Sequence, residues 1–242
     1  MNITFSPVEL VVLFVAVSLG STLQGALGYG LALVVSPILL MIDPRFIPAP
    51  LTIAAFILVI LVTIRDRQAL DFLGLKWALL GMIFGMMAGT YILDRFGGEH
   101  FPMIFSVFIL LAVFVSAVGI RFPPRRSVLT LAGFFSGLMG ILATIAGPPM
   151  ALVYQDAPGK QLRATLSGFF IIGTILALFS LSTIGRFGLQ EIVLAGVLIP
   201  GILVGFLLSK QVTPWVDRGY TRPAVLAIAA ISAIIILVSQ VW

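Results

Sequence analysis

Two apolar stretches of the chain are longer than one membrane crossing needs, and each is interrupted in its middle by glycine. The first, Pro7–Ile42, contains Gln24-Gly25-Ala26-Leu27-Gly28-Tyr29-Gly30. The second, Ser127–Gln155, contains Gly137, Gly140 and Ala146-Gly147-Pro148-Pro149. One helix crosses the hydrocarbon core in about 20 residues, so neither stretch reads as a simple span. Paired, interrupted apolar segments at matching places in two halves point to the binding site of a secondary transporter.

Composition sets the class. Hydrophobic residues make up 60% of the chain and charged residues 10%, too few charges to cover a soluble surface. Apolar runs fill nearly the whole length, which implies an all-α polytopic membrane protein rather than a β-barrel of short alternating strands. Met1–Ser6 carries no positive charge, so a secretory leader is not expected. The absence of cysteine excludes disulfides, thiolate ligands and a cysteine nucleophile, and a single histidine, His100, excludes a histidine-cluster metal site. No cofactor is implied. The net charge of +5 belongs to membrane orientation and not to nucleic-acid binding, because Lys and Arg gather in cytoplasmic loops.

Six further segments read as ordinary spans: Phe46–Ile64, Phe72–Leu93 and Phe101–Ile120, then Ala164–Ile184, Leu189–Ser209 and Tyr220–Val241. Each half is thus one broken segment followed by three helices, about eight transmembrane segments in all. A shift of 112 residues carries Gly25 onto Gly137, Gly28 onto Gly140 and Pro37 onto Pro149. A shift of 113 carries Thr52 onto Thr165, and larger shifts carry Gly85 and Gly89 onto Gly201 and Gly205 and Pro102 onto Pro223. This common order indicates a duplication: residues 1–120 as a first repeat, 121–127 as a cytoplasmic linker, and 128–242 as a second repeat.

Charge decides how the repeats face. If each broken segment enters and leaves on one side, that arrangement gathers Arg65, Arg67, Lys76, Arg121, Arg125, Arg126, Lys160, Arg163, Lys210, Arg218 and Arg222 on one face of the membrane. Only Arg45, Arg95 and Arg186 remain on the other. If each broken segment crosses once, the charges divide evenly. The positive-inside rule therefore favours hairpins, 7–42 and 128–155, with both termini periplasmic. A hairpin plus three spans reverses the chain, so the two four-helix repeats are expected to be inverted. Each hairpin is expected to be a pair of short helices meeting near the midplane.

The hairpin tips carry the candidate chemistry. Backbone breaks in lipid leave polar groups unpaired at several kcal/mol each unless protein or a watery cavity receives them. Helix starts after the breaks, near Leu31 and Met150, would aim N–H groups and partial positive charge inward, where an anion is favoured. Ser21, Thr22, Gln24, Tyr29, Ser36, Ser136 and Thr144 are polar but uncharged, and no Lys, Arg, Asp or Glu falls in the middle of a span. The candidate substrate-binding residues are Gln24, Gly25, Gly28, Tyr29, Gly30, Ser36, Thr144, Gly147 and Pro148, with Arg163 and Thr165 opening the helix after the second hairpin. For Gly81, Gly85 and Gly89, and for Gly201 and Gly205, close helix packing is the expected role. Asp94, Arg95, Glu99 and His100 are expected in an outer loop facing water.

These residues resemble the sulfite exporter TauE/SafE family, also called the 4-toluene sulfonate uptake permeases. The likeness lies in Gly25-Ala26-Leu27-Gly28-Tyr29-Gly30 with Pro37-Ile38-Leu39-Leu40, and in Gly133-Phe134-Phe135-Ser136-Gly137, Gly147-Pro148-Pro149 and Arg163-Ala164-Thr165. Length, duplication and segment spacing extend it over nearly the whole chain. Thr144-Ile145-Ala146 stands where family members often carry glycines. The resemblance implies transport of sulfur-containing anions such as sulfite or sulfonates in a bacterial inner membrane, in a direction left open. The partners expected are a small anion and the bilayer; oligomeric state and coupling ion are not implied. The rival readings are a passive anion channel and a transporter of a non-sulfur organic anion. An intramembrane enzyme lacks paired mid-span carboxylates or a Ser/His pair, and a mere assembly partner leaves the paired breaks unexplained.

Overall fold

The computed structural model describes residues 5–96, 101–118, 123–154 and 157–216, with Arg218 and Ile234, and every regular element among them is helical. The α-helices are α1 (Pro7–Leu27), α2 (Leu31–Ile42), α3 (Ala49–Asp66), α4 (Phe72–Phe96), α5 (Phe101–Val118), α6 (Arg126–Ala143), α7 (Gly147–Val153), α8 (Gly159–Thr183) and α9 (Leu189–Val216). The span expected at Tyr220–Val241 lies outside the described residues apart from Ile234, as do residues 97–100 of the expected outer loop. Among the described residues, five helices are long and apolar enough to cross a membrane: those beginning at Pro7, Ala49, Phe72, Gly159 and Leu189. The chain is a multi-pass membrane protein.

The two hairpins are less alike than expected. α1 has 21 residues, about 31 Å at 1.5 Å per residue, and is itself long enough to cross. Its partner α2 has 12 residues, while α6 has 18 and α7 only seven. Only the second member of each pair is short. The breaks are also narrower than the glycine pattern suggested. Gln24 and Gly25 remain within α1, and the first break is Gly28–Gly30. Gly137 and Gly140 remain within α6, and the second break is Thr144–Ala146. The physical reason is that a helical glycine also serves close approach. A methyl on Gly25 would press on Ser209 of α9 at 2.6 Å, and one on Gly137 would overlap the Met82 carbonyl of α4.

Glycine sets the two closest helix pairs. On α4, a methyl at Gly81 would overlap the carbonyl oxygen of Thr130, and one at Gly85 that of Phe134. A methyl at Gly89 would reach the Leu138 carbonyl at 3.0 Å. From the facing side, Gly133 meets the Ala78 carbonyl. Partner numbers rise together, so α4 and α6 run parallel along a seam of small residues. Arg126 of α6 lies over the Trp77 ring of α4 at 5.2 Å and marks the start of both helices. The second pair is α1 with α9: Gly201 faces Val17, Gly205 faces Ser18 and Ser21, and Gly25 faces Ser209. It is parallel too. Thus the packing role expected for Gly81, Gly85, Gly89, Gly201 and Gly205 is what these glycines perform.

Other contacts orient the remaining elements. Phe5 stacks on Phe46 at 5.4 Å, while Arg65 reaches Gly25, so α1 and α3 run the same way. Arg163 near the start of α8 meets Asp66 at the end of α3, so these two are antiparallel. Asp71 before α4 is bonded to Thr165 of α8, so α4 and α8 start at one end. Helices α1, α3 and α9 therefore run one way, and α4, α6 and α8 the other. The core between them includes Leu31, Leu33, Leu51, Leu58, Met82 and Phe169, all below 2% exposed.

Gly85→Val is expected to lower the unfolding midpoint by about 4–8 °C, since an overpacked helix contact costs about 2 kcal/mol in a chain of this size. Gly196→Ala, where an added methyl meets nothing within 4 Å, is expected to leave it unchanged or slightly raised. Thermal unfolding of the two purified variants checks the pair.

Candidate functional site

A helix that ends inside the protein leaves its last carbonyls without N–H partners. At the end of α1, Gly28 (φ +90°) turns left-handed and its N–H returns to the Gln24 carbonyl at 2.7 Å. Two guanidinium groups complete the end. Arg65 Nη2 donates to the Gly25 carbonyl at 2.6 Å, and Arg163 Nη1 to the Ala26 carbonyl at 3.1 Å. Both cations sit against the negative end of the helix dipole. Asp66 balances them: its Oδ2 accepts from Arg65 Nη2 at 2.9 Å and from Arg163 Nε at 3.4 Å. Arg65 Nη1 also donates to Ser209 Oγ at 3.1 Å, which ties in α9. Arg163 is only 6% exposed, so it is a buried structural cation and not a charge at an open mouth.

The start of α2 is finished from the preceding helix. Gln24 Oε1 accepts the Leu31 N–H at 3.1 Å, so the carboxamide caps α2 across the break. Gly30 holds φ +124°, a conformation that a side chain rarely adopts. Helix geometry leaves the following N–H groups of the first turn, Ala32 and Leu33, without partners inside α2.

The second break is built differently. Thr144 ends α6 in the left-handed region (φ 59°), the only non-glycine residue among those described with positive φ. Its N–H donates to the Gly140 carbonyl at 3.0 Å, and the Ile145 N–H to the Met139 carbonyl at 3.3 Å. α7 then begins with Gly147-Pro148-Pro149. The two prolines have no N–H, so the Gly147 N–H is the donor that this short helix presents at its start.

The two breaks meet. A methyl on Gly147 would come within 2.5 Å of Tyr29 Cβ and 3.0 Å of the Tyr29 ring, so the Tyr29 side chain lies directly on the Gly147 main chain. Beside this contact is a cavity of about 80 Å³, where a single water needs roughly 10–15 Å³. It lies among the middle turns of α4 and α8. One wall is Gln24 and Tyr29–Leu33; the opposite wall is Gly140 and Thr144–Pro148. Leu51, Thr52, Ala55 and Val59 of α3, Met82 and Met86 of α4, and Phe170, Gly173, Thr174 and Ala177 of α8 close the rest. No lining residue is charged.

Six of the eleven residues expected from the sequence line this cavity: Gln24, Tyr29, Gly30, Thr144, Gly147 and Pro148. Five do not. Gly25 packs on Ser209 and gives its carbonyl to Arg65; Gly28 sits against the Arg163 main chain. Ser36 is fully buried inside α2, and Arg163 is held by Asp66. Thr165 Oγ1 accepts from Asp71 N at 3.1 Å, in a cluster where Tyr154 Oη also donates to Asp71 Oδ2 at 2.8 Å. Sequence reasoning missed Thr52, Thr174 and Phe170 as lining residues. Thr52 stood out only as the partner of Thr165 in the duplication, and nothing about Thr174 separates it from any membrane-helix threonine.

Arg163→Gln removes one partner of the buried Asp66 and uncaps Ala26. It is expected to cost about 1–3 kcal/mol, the value of a lost charged hydrogen bond. The double variant Asp66→Asn/Arg163→Gln is expected to lose less than the two single variants together, because the Arg163–Asp66 interaction is counted in both single losses but removed only once. Unfolding midpoints of the three proteins test this.

The family model described as Sulfite exporter TauE/SafE matches residues 12–236. No curated protein and no solved structure matches the chain.

Proposed function

The chain belongs to the sulfite exporter TauE/SafE family, and we propose that it is a secondary transporter carrying a small sulfite- or sulfonate-type anion through the cavity between the two chain breaks. The observation that carries this reading is the meeting of Tyr29 and Gly147 beside an uncharged cavity. An anion held there by amides and hydroxyls is bound without a fixed counter-charge, which suits a guest that must leave again. Gln24, Tyr29 and Thr144 would offer side-chain hydrogen bonds, and Gly30 and Gly147 close approach to the backbone. The cavity volume fits a few heavy atoms and favours a small anion.

Residues 1–120 and 128–242 are read as inverted repeats, joined by a cytoplasmic linker at 121–127. Three features support this. The first helix of each half packs on the fourth helix of the other: α1 on α9, and α6 on α4. The third helices, α3 and α8, pack on each other. Corresponding helices also run in opposite directions, as argued above from their contacts. Together with the span expected from the sequence at Tyr220–Val241, this reading has eight membrane segments. On the Lys and Arg distribution, the end of α3 and the starts of α4, α6 and α8 are read as cytoplasmic, the end of α1 as lying within the membrane, and both termini as periplasmic. Rocking of one pair, α1–α9 or α4–α6, about the α3–α8 contact would open the cavity to either side in turn.

Purified protein in proteoliposomes loaded with unlabelled sulfite is expected to take up labelled sulfite by saturable counterflow. Gln24→Ala should raise the half-saturating concentration about tenfold, equivalent to roughly 1.4 kcal/mol. Flux that rises linearly with concentration and shows no counterflow would identify a channel instead.

A further inference from the structure

The ends of α1 and α6 occupy matching places in the two halves, yet only one carries a fixed positive charge. At α1 the terminal carbonyls receive Arg65 and Arg163. At α6 no basic residue lies in the last turn, and the cavity around it is uncharged. The carbonyls of Ile141, Leu142 and Ala143 lie beyond the helix's regular hydrogen-bond pattern, at the negative end of its dipole. A second observation points to a ligand at the same spot. Thr144 Oγ1 is a buried oxygen with no hydrogen-bond partner, although Thr144 faces the cavity. Moreover, Thr144 holds this place at φ 59°, where a β-branched residue is strained and glycine is not.

We propose that the α6 end binds a monovalent alkali cation of sodium size, held by Thr144 Oγ1 and main-chain carbonyls of the last α6 turn. Hard cations take oxygen ligands of this kind, and unwound helix ends in transporters supply them. The cation takes the part that the two guanidinium groups play at α1, but it is exchangeable. It would also share the cavity with the anion proposed above, so cation and anion would enter as a pair with little net charge. The coupling, though not the cation site itself, rests on the transport reading.

The test is thermal unfolding of purified protein in sodium chloride against choline chloride at equal ionic strength, first with no other anion and then with sulfite. Sodium alone is expected to raise the midpoint saturably, and choline is not. Sulfite affinity is expected to be at least tenfold higher in sodium. Thr144→Gly should fold with an equal or higher baseline midpoint, because the strain is relieved, and lose the sodium response. Thr144→Ser should keep it. Equal midpoints in sodium and choline, or a full sodium response in folded Thr144→Gly, would overturn the site. A sodium response with no sulfite binding in either salt would support the site and count against the transport reading alone.

Discussion

A backbone that stops being helical inside a membrane protein must find other partners for its polar groups, and this need organises the whole structure. Each hairpin produces one helix end and one helix start in a place remote from water. At the first break the last carbonyls of α1 and the first N–H of α2 have specific side-chain partners. Arg65 and Arg163 come from α3 and α8 to close α1, and Gln24 reaches over the break to cap α2. The cost of burying two guanidinium groups is offset by Asp66 between them. The result is a rigid corner tying α1, α3, α8 and α9 together. The second break has no such charges, and its residues Thr144–Pro148 line the cavity. Both breaks line the cavity, but only the first is fixed by charged side chains.

Close helix packing provides the frame for this arrangement. In the α4–α6 seam glycine is set against main-chain carbonyls, and in the α1–α9 seam against Val17, Ser18, Ser21 and Ser209, so both pairs approach closely. The cavity lies between these bodies, against α3 and α8. In the alternating-access reading proposed above, these pairs would be the bodies that move about the cavity.

Much of this was legible in the residues. The two breaks, the packing stripes and the helical class follow from hydropathy and glycine spacing, and six cavity residues follow from the breaks. What was not legible is instructive. A glycine in a membrane helix looks the same whether it breaks the helix or packs against a neighbour, so the sequence alone reads Gly25 and Gly137 as breaks although both pack. Helix lengths within a hairpin depend on where the first left-handed residue falls, and Thr144, a β-branched residue, gives no local hint of that role. Arg163 read as a charge near water because its partner Asp66 is far away in sequence and only the fold brings them together. Thr174 reaches the cavity through the rotation of α8, which periodicity does not determine when every face of a helix is apolar.

The most direct test of the account is whether the two breaks touch in the native membrane. The chain has no cysteine, so the pair Tyr29→Cys/Gly147→Cys is the only thiol pair in the protein. A protease site at the exposed Pro123-Pro124, before α6, separates the halves after oxidation in membranes. The account predicts that the cut halves migrate together until reductant is added, since the two Cβ positions abut and a shift of roughly 1 Å brings them to the about 3.8 Å that a disulfide spans. Halves that separate without reductant, in a variant that is folded and present in the membrane, would contradict it.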